Sequence, residues 1–156
     1  MSPDDLRPLY LFLHVASAVV WVGGMFFAYV CLRPVAARTL DAPSRLKLWR
    51  QVLQRFFAWV WVSVALIPAS GIAMLSGTAF VSTPRNWRVM MALGIAMILI
   101  YLFVVLSPFQ ALRRAVDRED WKGGGEALGR IRRWVGVNLL LGVITVAMAT
   151  LGRWFA

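Results

Sequence analysis

Four long apolar runs dominate the pattern of hydrophobic and polar positions along the chain. They cover residues 9–32, 56–75, 89–106 and 135–151, and none of them contains Asp, Glu, Lys or Arg away from its ends. About 20 helical residues cross a bilayer core of about 30 Å. The pattern therefore predicts an all-α fold, in which residues 1–156 form one integral membrane domain built as a four-transmembrane-helix bundle.

The basic residues lie mostly between these runs. Of the 17 Lys and Arg residues, 13 lie in the two connectors at 33–55 and 113–133. The positive-inside rule places both connectors in the cytoplasm and both termini outside, in a bacterial inner (plasma) membrane. Contact with anionic lipid headgroups explains the net charge of +10, so we expect a lipid bilayer and no nucleic acid as partner.

The order of polar features predicts two similar hairpins, which form a weak internal repeat. Pro34 and Pro108 end the first and third runs, and each is predicted to break or kink its helix. Turns are predicted at 41–44 and 117–125, the second with a flexible glycine segment at 123–125. Amphipathic stretches then lead into the next run, with apolar residues at helical spacing: Leu46, Trp49, Leu53 and Phe56, then Leu128, Ile131 and Val135.

A lone histidine, His14, lies inside the first apolar run, and Trp21 follows it on the same helical face. An imidazole in hydrocarbon needs a partner because its unsatisfied polar nitrogens are costly there. That partner is a metal, a cofactor or a hydrogen-bond acceptor. The possible hydrogen-bond acceptors are a backbone carbonyl and the side chains of Ser17, Asn138 and Thr150.

Methionines occur at the same membrane depth in the other runs. Imidazole and thioether ligands together favour Cu(I) over hard cations. This predicts a Cu(I) site in the outer leaflet formed by His14 with Met74, Met90, Met91 and Met148. Met25 and Met97 lie deeper, where they would form a second, lower level. The competing interpretation is that these methionines only fill space between helices.

Haem b is the alternative cofactor, held by His14 and a methionine or by His14 from two chains. Trp21 and Arg88 would then belong to the cofactor pocket. The sequence has no nucleophile–base pair, phosphate loop or carboxylate pair, so we do not expect an enzyme unless a cofactor supplies the chemistry. A third hypothesis is a structural or assembly subunit of a larger membrane complex.

Residues 13–27, with His14, Trp21 and the pair Gly23-Gly24, followed by Arg33-Pro34, resemble the CopD family of bacterial copper-resistance membrane proteins. Later stretches are similar too, at 48–50, 55–57, 70–71, 130–133 and 138–139. The resemblance implies a membrane protein of copper homeostasis that binds or transports copper through His14.

The HemJ group, proposed protoporphyrinogen oxidases, shares the histidine–tryptophan–glycine opening and is the more distant resemblance. Many relatives carry a second histidine at the start of the third run, where this chain has Arg88, and arginine cannot ligate a metal. A second copy of the chain, or a periplasmic copper-binding protein, is therefore expected as a partner.

Overall fold

The computed structural model describes residues 6–75 and 85–151, and almost all of these residues are helical. Its helices are α1 (Arg7–Thr39), α2 (Ala42–Leu75), α3 (Arg85–Leu106), α4 (Pro108–Asp117) and α5 (Trp121–Leu151). In these described ranges, four helical segments are long and apolar enough to cross a membrane, and α3 with α4 counts as one of them. The predicted all-α bundle of four membrane helices is confirmed.

The helices pair as two hairpins. The first half of α1 packs along α2, while α5 packs along both α3 and α4. Further contacts of α5 and α4 with α2, and of α5 with the middle of α1, join the hairpins into one bundle. We call the end of the bundle that carries the connectors at 33–55 and 113–133 the basic end.

The two prolines act differently, although each was predicted to break or kink its helix. At Pro108 the chain does break, because Ser107 has φ −118° and ψ −83° and α4 begins at the proline. At Pro34 the helix continues to Thr39. A π-helical segment, Phe27–Leu32, ends two residues before Pro34. Its wider turn gives the proline ring room against the preceding carbonyls, so the chain need not leave the helix.

A second π-helical segment, Val19–Gly23, lies in the middle of α1. It shifts the residues that follow around the helix axis, since a π turn contains more residues than an α turn. Trp21 and Met25 are nevertheless both buried, at 3% and 2% exposure. The centre of α1 therefore presents its large side chains to the bundle through a locally widened helix.

The amphipathic stretches are continuous with the second and fourth membrane helices. The predicted apolar positions Leu46, Trp49, Leu53, Leu128 and Ile131 are all buried. Two positions differ, because Phe56 and Val135 are only partly buried, and Phe57 is buried in place of its neighbour Phe56. The basic end is therefore a packed extension of the bundle and not a pair of surface loops.

The turns at the basic end have helix caps. Asp41 precedes α2, and hydrogen bonds from Ser44 lower the pKa of its carboxyl group. Asp120 precedes α5 and accepts a hydrogen bond from the backbone N–H of Gly123 at 2.9 Å. The prediction of a flexible glycine segment at 123–125 is wrong, because these glycines lie inside α5. A Cβ on Gly124 would stand only 2.9 Å from Leu46, so this glycine permits close packing of α5 on α2.

Tyr101 is at the centre of the core, where the two hairpins meet. Its hydroxyl donates a 2.9 Å hydrogen bond to the carbonyl of Phe57, which links α3 to α2. Three aromatic rings meet its ring edge-on at centroid distances of 5.3–6.0 Å, those of Trp21, Phe57 and Trp61. Edge-to-face pairs of this kind add to the stabilisation from burial.

Candidate functional site

His14 binds to α2 at the end of the bundle opposite the basic end. Its Nδ1 lies 3.0 Å from the carbonyl oxygen of Ile67 and 3.1 Å from Oγ of Ser70. Of the hydrogen-bond acceptors that the sequence suggested for His14, the structure shows the backbone carbonyl. It adds the hydroxyl of Ser70, which the sequence analysis did not suggest as a partner. Gly71 lies against the ring, because a Cβ there would be 3.6 Å from Cε1 of His14.

This geometry fixes the tautomer of the imidazole. A carbonyl oxygen can only accept, so Nδ1 must carry the proton. The hydroxyl of Ser70 donates to the carbonyl of Leu66 at 2.5 Å, so its oxygen is available to accept from Nδ1 as well. In the neutral ring the lone pair is then on Nε2. Metal-ligating histidines commonly show this arrangement, in which the other ring nitrogen donates to a carbonyl.

Pro68 lies beside the acceptors of His14, but its missing N–H would have bonded the carbonyl of Val64, four residues earlier, and not those of Leu66 or Ile67. A proline inside a helix removes one backbone donor and weakens the local hydrogen-bond ladder, and serine side chains often compensate. Ser70 instead makes the usual contacts of a helical serine with the preceding turn, because its hydroxyl is 2.5 Å from the carbonyl of Leu66 and 3.1 Å from that of Ile67. Pro68 thus lies inside the segment of α2 that binds His14.

The methionines predicted as ligands lie on three helices. Met74 is on α2, one turn beyond Ser70, and is partly buried. Met90 and Met91 are in the first turns of α3, and Met148 is near the end of α5, which packs against α3. Met91 is 38% exposed. Of the predicted ligands, Met74 is therefore the one that shares a helix with both hydrogen-bond partners of His14.

In residues 6–75 and 85–151, no three His, Cys, Asp or Glu side chains come together as a metal-binding group. Cys31 is a free, exposed thiol. Around His14, the donors that the described helices offer are thioether sulfur and neutral oxygen, as in Met74 and Ser70. That donor set suits a soft monovalent ion better than Ca²⁺ or Mg²⁺, which need several oxygen ligands.

A small cavity lies between the hairpins, nearer the basic end than His14. Its volume is about 10 Å³, close to the smallest that holds one water molecule. Its lining includes Trp21, Met25, Phe57, Tyr101, Trp134 and Asn138. This cavity has no room for a macrocycle, so haem at this place in a single chain does not fit. Haem shared between two chains stays a prediction, as does the role of Arg88, which is exposed in the first turn of α3.

Asn138 is the polar residue of this cavity. It is 3% exposed, and its Oδ1 is buried without a hydrogen-bond partner. The other such atom in the described part of the chain is Nε of Arg113, whose guanidinium still donates to Gln110 through Nη1. Leaving a buried acceptor unpaired costs about 1–3 kcal/mol. An asparagine inside an apolar run signals a functional position, but the sequence offered it only as a partner for His14.

The comparisons with known proteins agree with this architecture. A family model described as copper resistance protein D (CopD) matches residues 50–151. The match includes Asn138 and the acceptors of His14, whereas His14 and Trp21 precede it. No curated protein and no solved structure matches the chain. Because the family model covers more than half of a chain that also has four membrane-length helices, the chain belongs to the CopD family of copper-resistance membrane proteins.

Proposed function

We propose that this protein binds Cu(I) inside the membrane through Nε2 of His14, as a step in moving copper across the bilayer. The observation that carries the proposal is the pair of contacts from Nδ1 to Ile67 and Ser70. They hold the ring in one orientation and keep the lone pair on Nε2. A partly buried histidine with no role could use either nitrogen, whereas a ligand needs one nitrogen kept free.

Thioether sulfur completes this site in the proposal. Met74 is the first candidate because it follows Ser70 by one helical turn, and Met90, Met91 and Met148 come from the second hairpin. Thioether and imidazole ligands bind Cu(I) in preference to the divalent ions that favour oxygen ligands. Ligands from both hairpins would make copper binding depend on how the hairpins pack.

The orientation in the membrane is part of the same proposal. The basic end faces the cytoplasm of a bacterial inner membrane, and His14 lies in the outer leaflet. Ser44, an exposed residue in the first turn of α2, reports on this. In a Cys31→Ser background, a Ser44→Cys variant should resist a membrane-impermeant thiol reagent in intact cells and react after permeabilisation. Labelling of this variant in intact cells would show that the basic end faces outward, contrary to the proposal.

The copper site is tested by anaerobic titration of the purified full-length chain with Cu(I) against a chromophoric chelator. His14→Ala should lose one bound equivalent. Ser70→Ala should keep the equivalent but weaken it by about 10-fold or more, as expected when a group that orients a ligand is removed. Ser63→Ala is the matched control, because Ser63 is also a buried serine of α2 but donates to Trp59.

Two results would contradict the proposal. One is a His14→Ala protein that binds as much Cu(I) as the wild type with the same affinity. The other is a Ser70→Ala variant no weaker than Ser63→Ala, which would show that the hydrogen bond to Nδ1 does not prepare a ligand. Single Met→Leu variants at 74, 90, 91 and 148 show which of these methionines is a copper ligand. X-ray absorption at the copper edge then counts the remaining sulfur ligands.

A further inference from the structure

Three arginines from three helices come together at the basic end, where the two hairpins meet. They are Arg33 of α1, Arg45 of α2 and Arg132 of α5, and we call them the arginine cluster. Arg33 and Arg45 are both close enough for their charges to act on Arg132. Arg33 and Arg45 are partly buried, whereas Arg132 is exposed. Positive charge is therefore concentrated at the junction of the hairpins.

The contact between Tyr29 and Gly136 determines where this cluster lies. A Cβ on Gly136 would be 3.1 Å from Cε2 of Tyr29, so the tyrosine ring lies directly against the backbone of α5. Arg33 follows Tyr29 by one turn, and its Cζ is 5.1 Å from the centre of that ring. Arg132 precedes Gly136 by one turn. Because α1 runs toward the basic end and α5 runs away from it, both arginines lie one turn beyond the same helix contact.

No described carboxylate neutralises the arginine cluster. Within residues 6–75 and 85–151, the ion pair joins Arg50 to Asp117. The arginine side chains that donate hydrogen bonds in these ranges are those of Arg38, Arg50 and Arg113. Like charges held close together repel, so the cluster is unfavourable until an anion lies between its members. The planar guanidinium group is suited to phosphate oxygens, which it can bind in pairs.

The depth of the cluster in the membrane indicates the source of that anion. Leu32, the last residue of the first apolar run, directly precedes Arg33, and the fourth apolar run begins three residues after Arg132. The guanidinium groups therefore lie at the level of the lipid headgroups, where lipid phosphate is abundant. Val30 and Val137, next in sequence to the two residues of the helix contact, are 48% and 42% exposed. Apolar surface for acyl chains thus lies beside the cluster.

We propose that Arg33, Arg45 and Arg132 bind the phosphate of one anionic phospholipid, which joins the two hairpins at the basic end. Arg33 and Arg45 belong to the first hairpin and Arg132 to the second, so one phosphate offsets a repulsion between the hairpins. Basic pockets between membrane helices bind lipid headgroups in this way. The site goes beyond copper binding and does not depend on it, because His14 lies at the opposite end of the bundle.

The test is native mass spectrometry of the full-length chain in phosphatidylcholine–detergent micelles, into which phosphatidylglycerol is titrated. The wild type should retain one phosphatidylglycerol per chain. Arg33→Gln and Arg132→Gln should each weaken its binding by about 10-fold or more, as expected for the loss of a charge-assisted hydrogen bond. Arg130→Gln is the matched control, because it removes the same charge from an exposed residue about 200° around α5 from Arg132. This control should bind phosphatidylglycerol as the wild type does.

Unfolding by denaturant gives a second measurement. Added phosphatidylglycerol should raise the unfolding midpoint of the wild type and of Arg130→Gln more than that of Arg132→Gln, because a ligand of the folded chain stabilises it. Equal effects in Arg130→Gln and Arg132→Gln would refute the site, since they would report a diffuse attraction between charges. Displacement of the lipid by excess inorganic phosphate would also overturn the proposal, because the ligand would then be a soluble anion. Failure of this site leaves the copper proposal intact, since the Cu(I) titration is made without phosphatidylglycerol.

Discussion

At Gly142, α5 packs closely against both α1 and α3. A Cβ there would lie 2.9 Å from Cγ2 of Val22 and 3.3 Å from Cε of Met97. A Cβ added to Gly94 on α3 would have no such neighbour within 4 Å. Both are interior helical glycines, so replacement by alanine removes the same conformational freedom, about 1 kcal/mol in favour of the helix. Only Gly142→Ala adds a clash, and the β-branched Val22 cannot turn away easily.

The expected difference in the free energy of unfolding follows from the gain in helix propensity at both positions and the clash at Gly142 alone. Overpacking of this kind costs about 1–3 kcal/mol. Gly94→Ala should therefore be as stable as the wild type or up to about 1 kcal/mol more stable. Gly142→Ala should be less stable than Gly94→Ala by about 1–3 kcal/mol.

The assay is equilibrium unfolding of the purified protein in mixed micelles, followed by tryptophan fluorescence for both variants under one condition. Equal stability of Gly142→Ala and Gly94→Ala would refute the close approach of the helices at this glycine.

Three further outcomes are expected. Tyr101→Phe should reduce the free energy of unfolding by about 1 kcal/mol, the usual net value of one hydrogen bond, and a loss near zero would show that the bond is not formed. A double-mutant cycle on the 2.5 Å ion pair Arg50–Asp117 should give a coupling of about 1 kcal/mol or less that falls as salt is added, because both side chains are partly exposed. The pKa of Asp41 is lowered from the ordinary 3.8 by Ser44, so its stabilising effect is complete above that value and is lost as the pH falls through the lowered one. Asp41→Asn should therefore flatten the acid side of the stability profile, and an unchanged profile would contradict the cap.

The helices could be predicted from the sequence because membrane length and charge leave few alternatives. Apolar runs of 17 or more residues and amphipathic spacing at Leu46, Trp49 and Leu53 are one-dimensional signals that survive into the fold. The glycine segment at 123–125 was misjudged because its helix depends on a cap at Asp120 and on packing against Leu46. Both are tertiary facts that composition does not contain.

The candidate site was only half visible for a similar reason. His14 stood out because a lone imidazole in an apolar run is costly. Its partners did not stand out, since Ile67 offers only a backbone carbonyl and Ser70 is one of several serines. Asn138 was visible as a polar residue, but its position beside Trp21 and Met25 depends on how two hairpins dock. Sequence spacing determines a face within one helix and not the residue that meets it from another.

The contacts of His14 with Ile67 and Ser70 have a consequence for the synthesis of the protein. All three residues belong to the first hairpin, which ends at Leu75, whereas the cavity needs Tyr101 and Asn138 from the second. The imidazole can therefore be oriented as soon as the first hairpin has been inserted. In the proposed function, a nascent chain would therefore present one prepared copper ligand before Met90, Met91 and Met148 of the second hairpin are in place.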